Sequence, residues 1–180
     1  MARGLVGKLL ILHRPGCQVL SGRIVEVEAY LGLRDKAAHA WRGLTPRTKV
    51  LFGPPGHAYV YVIYGMYHCL NVVAEPEGSP GCVLIRAIEP LEGLDTMRAN
   101  RGVNTPSLLC SGPGRLTQAM GIGIGHYGVD LTAGPLAIAA DDQPPPEIVV
   151  TPRVGIRDNA DWPLRFVASG SSWLSRQQGK

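Results

Sequence analysis

The run Arg23-Ile24-Val25-Glu26-Val27-Glu28-Ala29-Tyr30-Leu31-Gly32 sets two carboxylates and an aromatic ring at alternate positions of a strongly β-prone segment. Successive side chains of a strand point to opposite faces. Val25, Val27 and Ala29 therefore make an apolar face, while Glu26, Glu28 and Tyr30 share the other with Ile24. Period-two alternation usually marks a half-exposed edge strand, with its glutamates in water. The other fate is a strand whose acids face a built cavity, because a carboxylate buried without a partner is strongly disfavoured.

The stretch Gly56 to Val73 carries four of the six tyrosines: Tyr59, Tyr61, Tyr64 and Tyr67. Tyr59, Tyr61 and Ile63 alternate with Ala58, Val60, Val62 and Tyr64, Gly65-Met66 breaks the run, and Tyr67 to Val73 returns as a second strand. Tyr64-Gly65-Met66-Tyr67 is thus a hairpin tip bearing large residues where turns carry polar ones. Such a tip either folds back as core or serves as a wedge between stacked bases.

At 180 residues the chain suits one domain that needs no metal or disulfide staple. Hydrophobic residues at 45% and charged residues at 18% exclude a disordered chain, and 23 Gly with 15 Pro favour a turn-rich β build over a helical bundle. A net charge of +4 is compatible with a polyanionic partner without requiring one. Cys17, Cys69, Cys82 and Cys110 show no CxxC and no zinc spacing, so no metal or cofactor is expected and a reducing, cytoplasmic setting is the simplest. The apolar run before His13-Arg14-Pro15-Gly16 is too short to span a bilayer and lacks a cleavage site, so no targeting or membrane segment is expected.

Leu9 to Leu12 and Val19 to Tyr30 read as a hairpin joined through Arg14-Pro15-Gly16. Gly32 to Pro55 is a loop rich in cations (Arg34, Lys36, Arg42, Arg47, Lys49), suited to a phosphate backbone or simply solvated. Cys82 to Ile88 is an apolar strand interrupted by Arg86, whose guanidinium needs a fixed acceptor. Helices are expected over Pro90 to Arg101 and from Ser111-Gly112-Pro113 through Met120. The glycines of 121–128 lack the context of a phosphate loop. Further strands are expected at Leu136 to Ala140, Ile148 to Ile156 and Leu164 to Val167, with Trp162 and Trp173 as packing residues.

Cleaving an N-glycosidic bond needs a group that activates water, a pocket that grips the base and a means of taking the nucleotide out of the stack. Glu28 is a candidate base, Tyr30, His39 and Tyr61 are candidate stacking walls, and Tyr64 can fill the gap left in a duplex. A lone loop histidine is otherwise usually structural or merely exposed.

Together with Ala37-Ala38-His39, Thr45-Pro46-Arg47 and Arg86-Ala87-Ile88-Glu89-Pro90-Leu91-Glu92-Gly93, these motifs resemble the alkyladenine (3-methyladenine) DNA glycosylase family, from about Gly7 to Ser175. The resemblance implies a mixed α+β single domain over 1–180, with a curved antiparallel β-sheet core and a few packed helices. It implies Glu28 as the residue that positions the attacking water, with Arg86 and the Val154 carbonyl holding that water. Tyr30, Ala37, His39 and Tyr61 match the base pocket, and Asn71 matches the residue that crowds the exocyclic amine of ordinary guanine. Tyr64 matches the intercalating tyrosine, with Met66 beside it. The implied activity is that of a monofunctional glycosylase acting on alkylated or deaminated purines in double-stranded DNA, a monomer with no nucleophilic lysine and no lyase step. Two differences from the family stand out: about six residues precede Gly7-Lys8, where members carry a longer segment, and Ala40 follows His39, where some have serine.

Two rival readings remain. Glu26 and Glu28 sit roughly 6 to 7 Å apart along one strand, the spacing of an inverting glycosidase pair, but both project from one face. A non-catalytic binder of damaged DNA would use the same wall and wedge.

Overall fold

The computed structural model describes residues 1–14, 16 and 18–176. A single turn of helix, α1 (Ala2–Leu5), leads into β1 (Leu9–Leu12) and β2 (Leu20–Tyr30). The basic loop follows, shaped by 3₁₀ turns at Gly32–Arg34, His39–Arg42 and Lys49–Phe52. Next come β3 (Ala58–Ile63), β4 (Tyr67–Val73), β5 (Cys82–Glu92), α2 (Leu94–Arg101) and α3 (Pro113–Met120), then β6 (Leu136–Ala139), β7 (Ile148–Thr151) and β8 (Arg165–Ala168). The fold is mixed α+β, with one curled antiparallel sheet. No helix among the described residues is long and apolar enough to cross a membrane.

The sheet runs β3-β4-β5-β2-β1-β6, and β8 joins β2 and β7 off that path. β2 is its hub. One edge of β2 pairs with β5; the other pairs first with β1 (Leu9↔Arg23) and then with β8 (Glu26↔Val167, Glu28↔Arg165). Register shifts against β5 around Glu26 accompany the curl, as β-bulges do elsewhere. α3 packs on β4 and β5, and α2 packs on α3. Met97, Leu116, Ala119 and Met120 join Ile24, Val27, Leu70, Ile85 and Ile88 in one buried cluster. Each fully buried side chain of this size contributes about 1.5–3 kcal/mol.

β2 is therefore not a half-exposed edge strand, because its partners cover both edges and both faces are buried. Ile24 does not sit with the acids: it packs in the apolar cluster with Val25, Val27 and Ala29, beside the register shift between Ile24 and Glu26. Pro90 to Glu92 extend β5 rather than opening a helix, since Glu89, Pro90 and Glu92 pair with Arg23, Gly22 and Ser21. α2 begins only after Gly93, whose φ of 77° and closeness to Leu20 (a Cβ would lie 2.1 Å from Leu20 Cδ2) exclude other residues. The strand expected over Ile148 to Ile156 stops at Thr151. Pro152 has no N–H for a ladder, and Arg153 turns into the protein. In the β1–β2 turn, Pro15 and Cys17 lie outside the described residues.

Candidate active site

The β3–β4 hairpin closes through Tyr64-Gly65, with φ of 53° and 71°. The Met66 N–H donates to the Ile63 carbonyl at 3.3 Å. Two central residues at positive φ define a type I′ turn, whose twist matches that of paired strands. The turn holds Tyr64 84% exposed and Met66 68% exposed, so the tip does not fold back as core.

Beside the hairpin lies a cavity of about 430 Å³. Tyr30, Ala37, His39, Tyr61, Tyr64, Asn71, Arg86 and Val154 all line it. Residues from β2, the basic loop, β3, β4, β5 and the segment after β7 thus meet at one place. Met66 lines a different depression on the flank of the hairpin, with Tyr67, His68 and Arg101.

Glu28 is fully buried and lies behind the cavity wall. Its Oε2 accepts from the Tyr30 hydroxyl (3.0 Å) and Arg86 Nη1 (3.2 Å), and its Oε1 accepts from the Val154 amide (2.7 Å). All three donors are cavity-lining residues. A carboxylate offers about four acceptor sites, so Oε1 retains one for a further donor such as water. The Val154 N–H is thus bonded to the carboxylate itself.

The aromatic wall is fixed from behind. The His39 ring packs edge-on against Tyr61 (centroids 4.5 Å, interplanar angle 78°), so these two rings are not parallel walls. Packing of the imidazole and, second, the Arg47 guanidinium lower the His39 pKa, favouring the neutral ring. His39 Nδ1 and Tyr59 Oη lie 2.8 Å apart in a hydrogen bond, and Arg47 Nη2 lies 3.5 Å from Nε2. Arg47 also lies over the Tyr61 ring at 5.0 Å, placing a cation against this wall residue. Burial raises the Tyr59 pKa to about 12 and raises those of Tyr30 and Tyr61 further, so all three stay neutral phenols. Asn71 is pinned at both ends: Nδ2 donates to the Tyr59 carbonyl (3.0 Å), and the Cys82 thiol approaches Oδ1 (3.7 Å).

Tyr30 is held by a group that sequence reasoning missed. Arg153 lies over the ring at 4.7 Å, and its guanidinium pairs with Asp35 (Nη2 to Oδ1 3.0 Å) and donates to the Ala29 carbonyl (3.0 Å). Asp35 also caps the loop by accepting from the Leu31 and Ala37 amides, which sets Ala37 and His39 in place. Gly32 permits this path: its φ is 63°, and a Cβ would lie 1.5 Å from the Pro80 carbonyl oxygen. Tyr59, Asp35, Arg153, Arg165 and Ser175 all support the site without having been singled out as candidates. Only Tyr59 left a signal, through its alternation with Tyr61.

Glu26 cannot act as the second carboxylate of a sugar hydrolase. It is fully buried and does not line the cavity, and its oxygens are engaged by Arg86, Arg165 and Ser175.

Residues 1–172 match the methylpurine-DNA glycosylase (MPG) family. Relatives bearing the name "Putative 3-methyladenine DNA glycosylase" include one from Methanoculleus marisnigri, 52% identical over 98% of this chain and 93% of its own. Others come from Chlorobaculum tepidum, 45% identical over 99% of this chain and 86% of its own, and Rhodopseudomonas palustris, 51% identical over 98% and 82%. The cavity, its buried acid and the projecting tyrosine thus occur in a chain that belongs to the methylpurine-DNA glycosylase family.

Proposed function

We propose that the protein is a monofunctional DNA glycosylase that flips alkylated or deaminated purines out of duplex DNA and hydrolyses their N-glycosidic bond, starting base excision repair. The observation that carries this reading is the Glu28 carboxylate, held by Tyr30, Arg86 and Val154 behind an aromatic-lined cavity. Arg47 and the neighbouring cations of the basic loop receive the phosphate backbone, and Tyr64 occupies the space that the flipped nucleotide leaves. Tyr30, His39 and Tyr61 contact the flipped base, with the edge-on His39 and Tyr61 gripping its rim rather than sandwiching it.

A water on the open site of Glu28 Oε1 attacks C1′, and its proton passes to the carboxylate as the C1′–N bond breaks. The bond pair leaves with the base. A purine alkylated at N3 or N7 is cationic and departs neutral, so stacking and one base suffice for it; a deaminated purine is neutral, departs with the bond pair as an anion and takes up a proton from solvent. No covalent lysine adduct forms and no strand is cut. Asn71, held rigid by Tyr59 and Cys82, crowds the exocyclic amine of ordinary guanine.

The test is a duplex oligonucleotide carrying one 7-methylguanine, with a parallel arm carrying hypoxanthine. Accumulation of free base and alkali-labile abasic sites is the expected result. Tight binding without base release would make the protein a binder of damaged DNA instead.

A further inference from the structure

Glu26 has no part in the reaction just described, yet four hydrogen bonds hold it beside the site. It has no exposed surface, and three donors converge on its Oε1: Arg86 Nε (2.9 Å), Arg165 Nε (2.8 Å) and Ser175 Oγ (2.7 Å). The Ser175 amide donates to Oε2 at 2.6 Å. Burial alone would raise its pKa, but hydrogen bonds from Arg165 and Ser175 and the charges of both arginines outweigh that effect and hold it ionised.

Charge balance gives these bonds a purpose. Two buried guanidiniums, Arg86 and Arg165, face two buried carboxylates, Glu26 and Glu28. Arg86 turns Nε toward Glu26, lays Nε and Nη2 on the Ser175 hydroxyl (3.3 and 3.2 Å), and leaves only Nη1 for Glu28. Without Glu26, Arg86 would have Glu28 as its one carboxylate partner, and a fork-to-fork pair would occupy both Glu28 oxygens. The acceptor site open to water would then be filled.

We propose that Glu26 and Ser175 are positioning residues for base hydrolysis: they occupy the far edge of the Arg86 guanidinium, so that Glu28 is held by a single Arg86 N–H and keeps one acceptor site of Oε1 for water. The segment around Ser175 thereby completes the site from outside the sheet, itself fastened by Arg165 Nη2 on the Arg176 carbonyl (2.8 Å) and by the buried Leu174. This inference rests on Glu28 as the water-activating group.

The experiment measures single-turnover base release and duplex affinity on a 7-methylguanine duplex, with thermal melts alongside. Ser175→Ala keeps the amide bond to Glu26 and loses the hydroxyl, so release should slow on the order of tenfold, about one hydrogen bond's worth, with affinity unchanged and the protein still folded in the melt. Ser175→Thr should restore the rate. Glu26→Gln should slow release by about 10- to 100-fold, the range for partners that orient a reacting group, again without loss of affinity. Glu28→Gln is the control that separates the two readings. If it releases base normally, the water-activating role of Glu28 is wrong and this inference falls with it. If it is inactive while Ser175→Ala and Glu26→Gln release base as fast as the parent, only the positioning role is overturned. Should Glu26→Gln fail to fold, Ser175→Ala and its threonine rescue decide alone, and an unchanged Ser175→Ala rate overturns the proposal.

Discussion

Replacing Tyr64 with asparagine separates what the hairpin needs from what the DNA needs. Tyr64 sits at φ 53°, a region that costs a residue bearing a Cβ about 1–2 kcal/mol. Asparagine tolerates that region, and Asn-Gly is the favoured pair for a type I′ turn. Because Tyr64 is 84% exposed, the folded protein loses few contacts when the ring is removed. Tyr64→Asn should therefore stabilise the fold by about 0.5–1 kcal/mol, raising the melting temperature by roughly 1–4 °C for a chain of this size. The same change removes the proposed wedge. A stacked aromatic is worth about 1–3 kcal/mol, so the flipped state should become roughly 5- to 150-fold less populated. Circular dichroism melts give the first quantity, and 2-aminopurine fluorescence beside the lesion gives the second. A variant that melts lower than the parent would refute the strain argument; one that melts higher but flips bases equally well would refute the wedge.

Other outcomes follow from the buried charges and the pocket. Arg153→Met leaves Asp35 buried without its counter-ion and should cost about 3–5 kcal/mol in urea unfolding. Burial pushes the Glu26 and Asp35 carboxyls up, but their arginine partners prevail and hold both below their ordinary values of 4.5 and 3.8. A folded pKa below the unfolded one adds stability that is present above the unfolded value and is lost as pH falls through the folded one. The urea midpoint should stay level with respect to these groups from pH 7 to about 5 and fall below that, with a shallower fall in Glu26→Gln. Asn71→Ala removes the side chain pinned between Tyr59 and Cys82, and release of unmodified guanine from undamaged duplex should rise above the parent's level.

Local pattern sufficed where a strand's own alternation decides its role. The hairpin carrying Tyr61 and Tyr64 and the strand carrying Glu28 were readable on that basis, as were the helix between Pro113 and Gly121 from its bounding residues and the need of Arg86 for an acceptor from its place in an apolar strand. Pairing between distant segments was not. Pro90 looks like the first turn of a helix, but Gly22 of β2 opposes it and extends the strand. Ile24 looks like a neighbour of the acids, but the register shift at Glu26 leaves it in the core. Arg153 and Ser175 are separated from their partners Asp35 and Glu26 by 118 and 149 positions, and no local spacing links them.

The most direct test is single-turnover base release by Glu28→Gln, measured with its affinity for the same lesion-bearing duplex. Glutamine keeps the shape and can still meet Tyr30, but it cannot take a proton from water. Base release should vanish while the duplex stays bound as tightly as to the parent. Turnover at the parental rate would contradict the account.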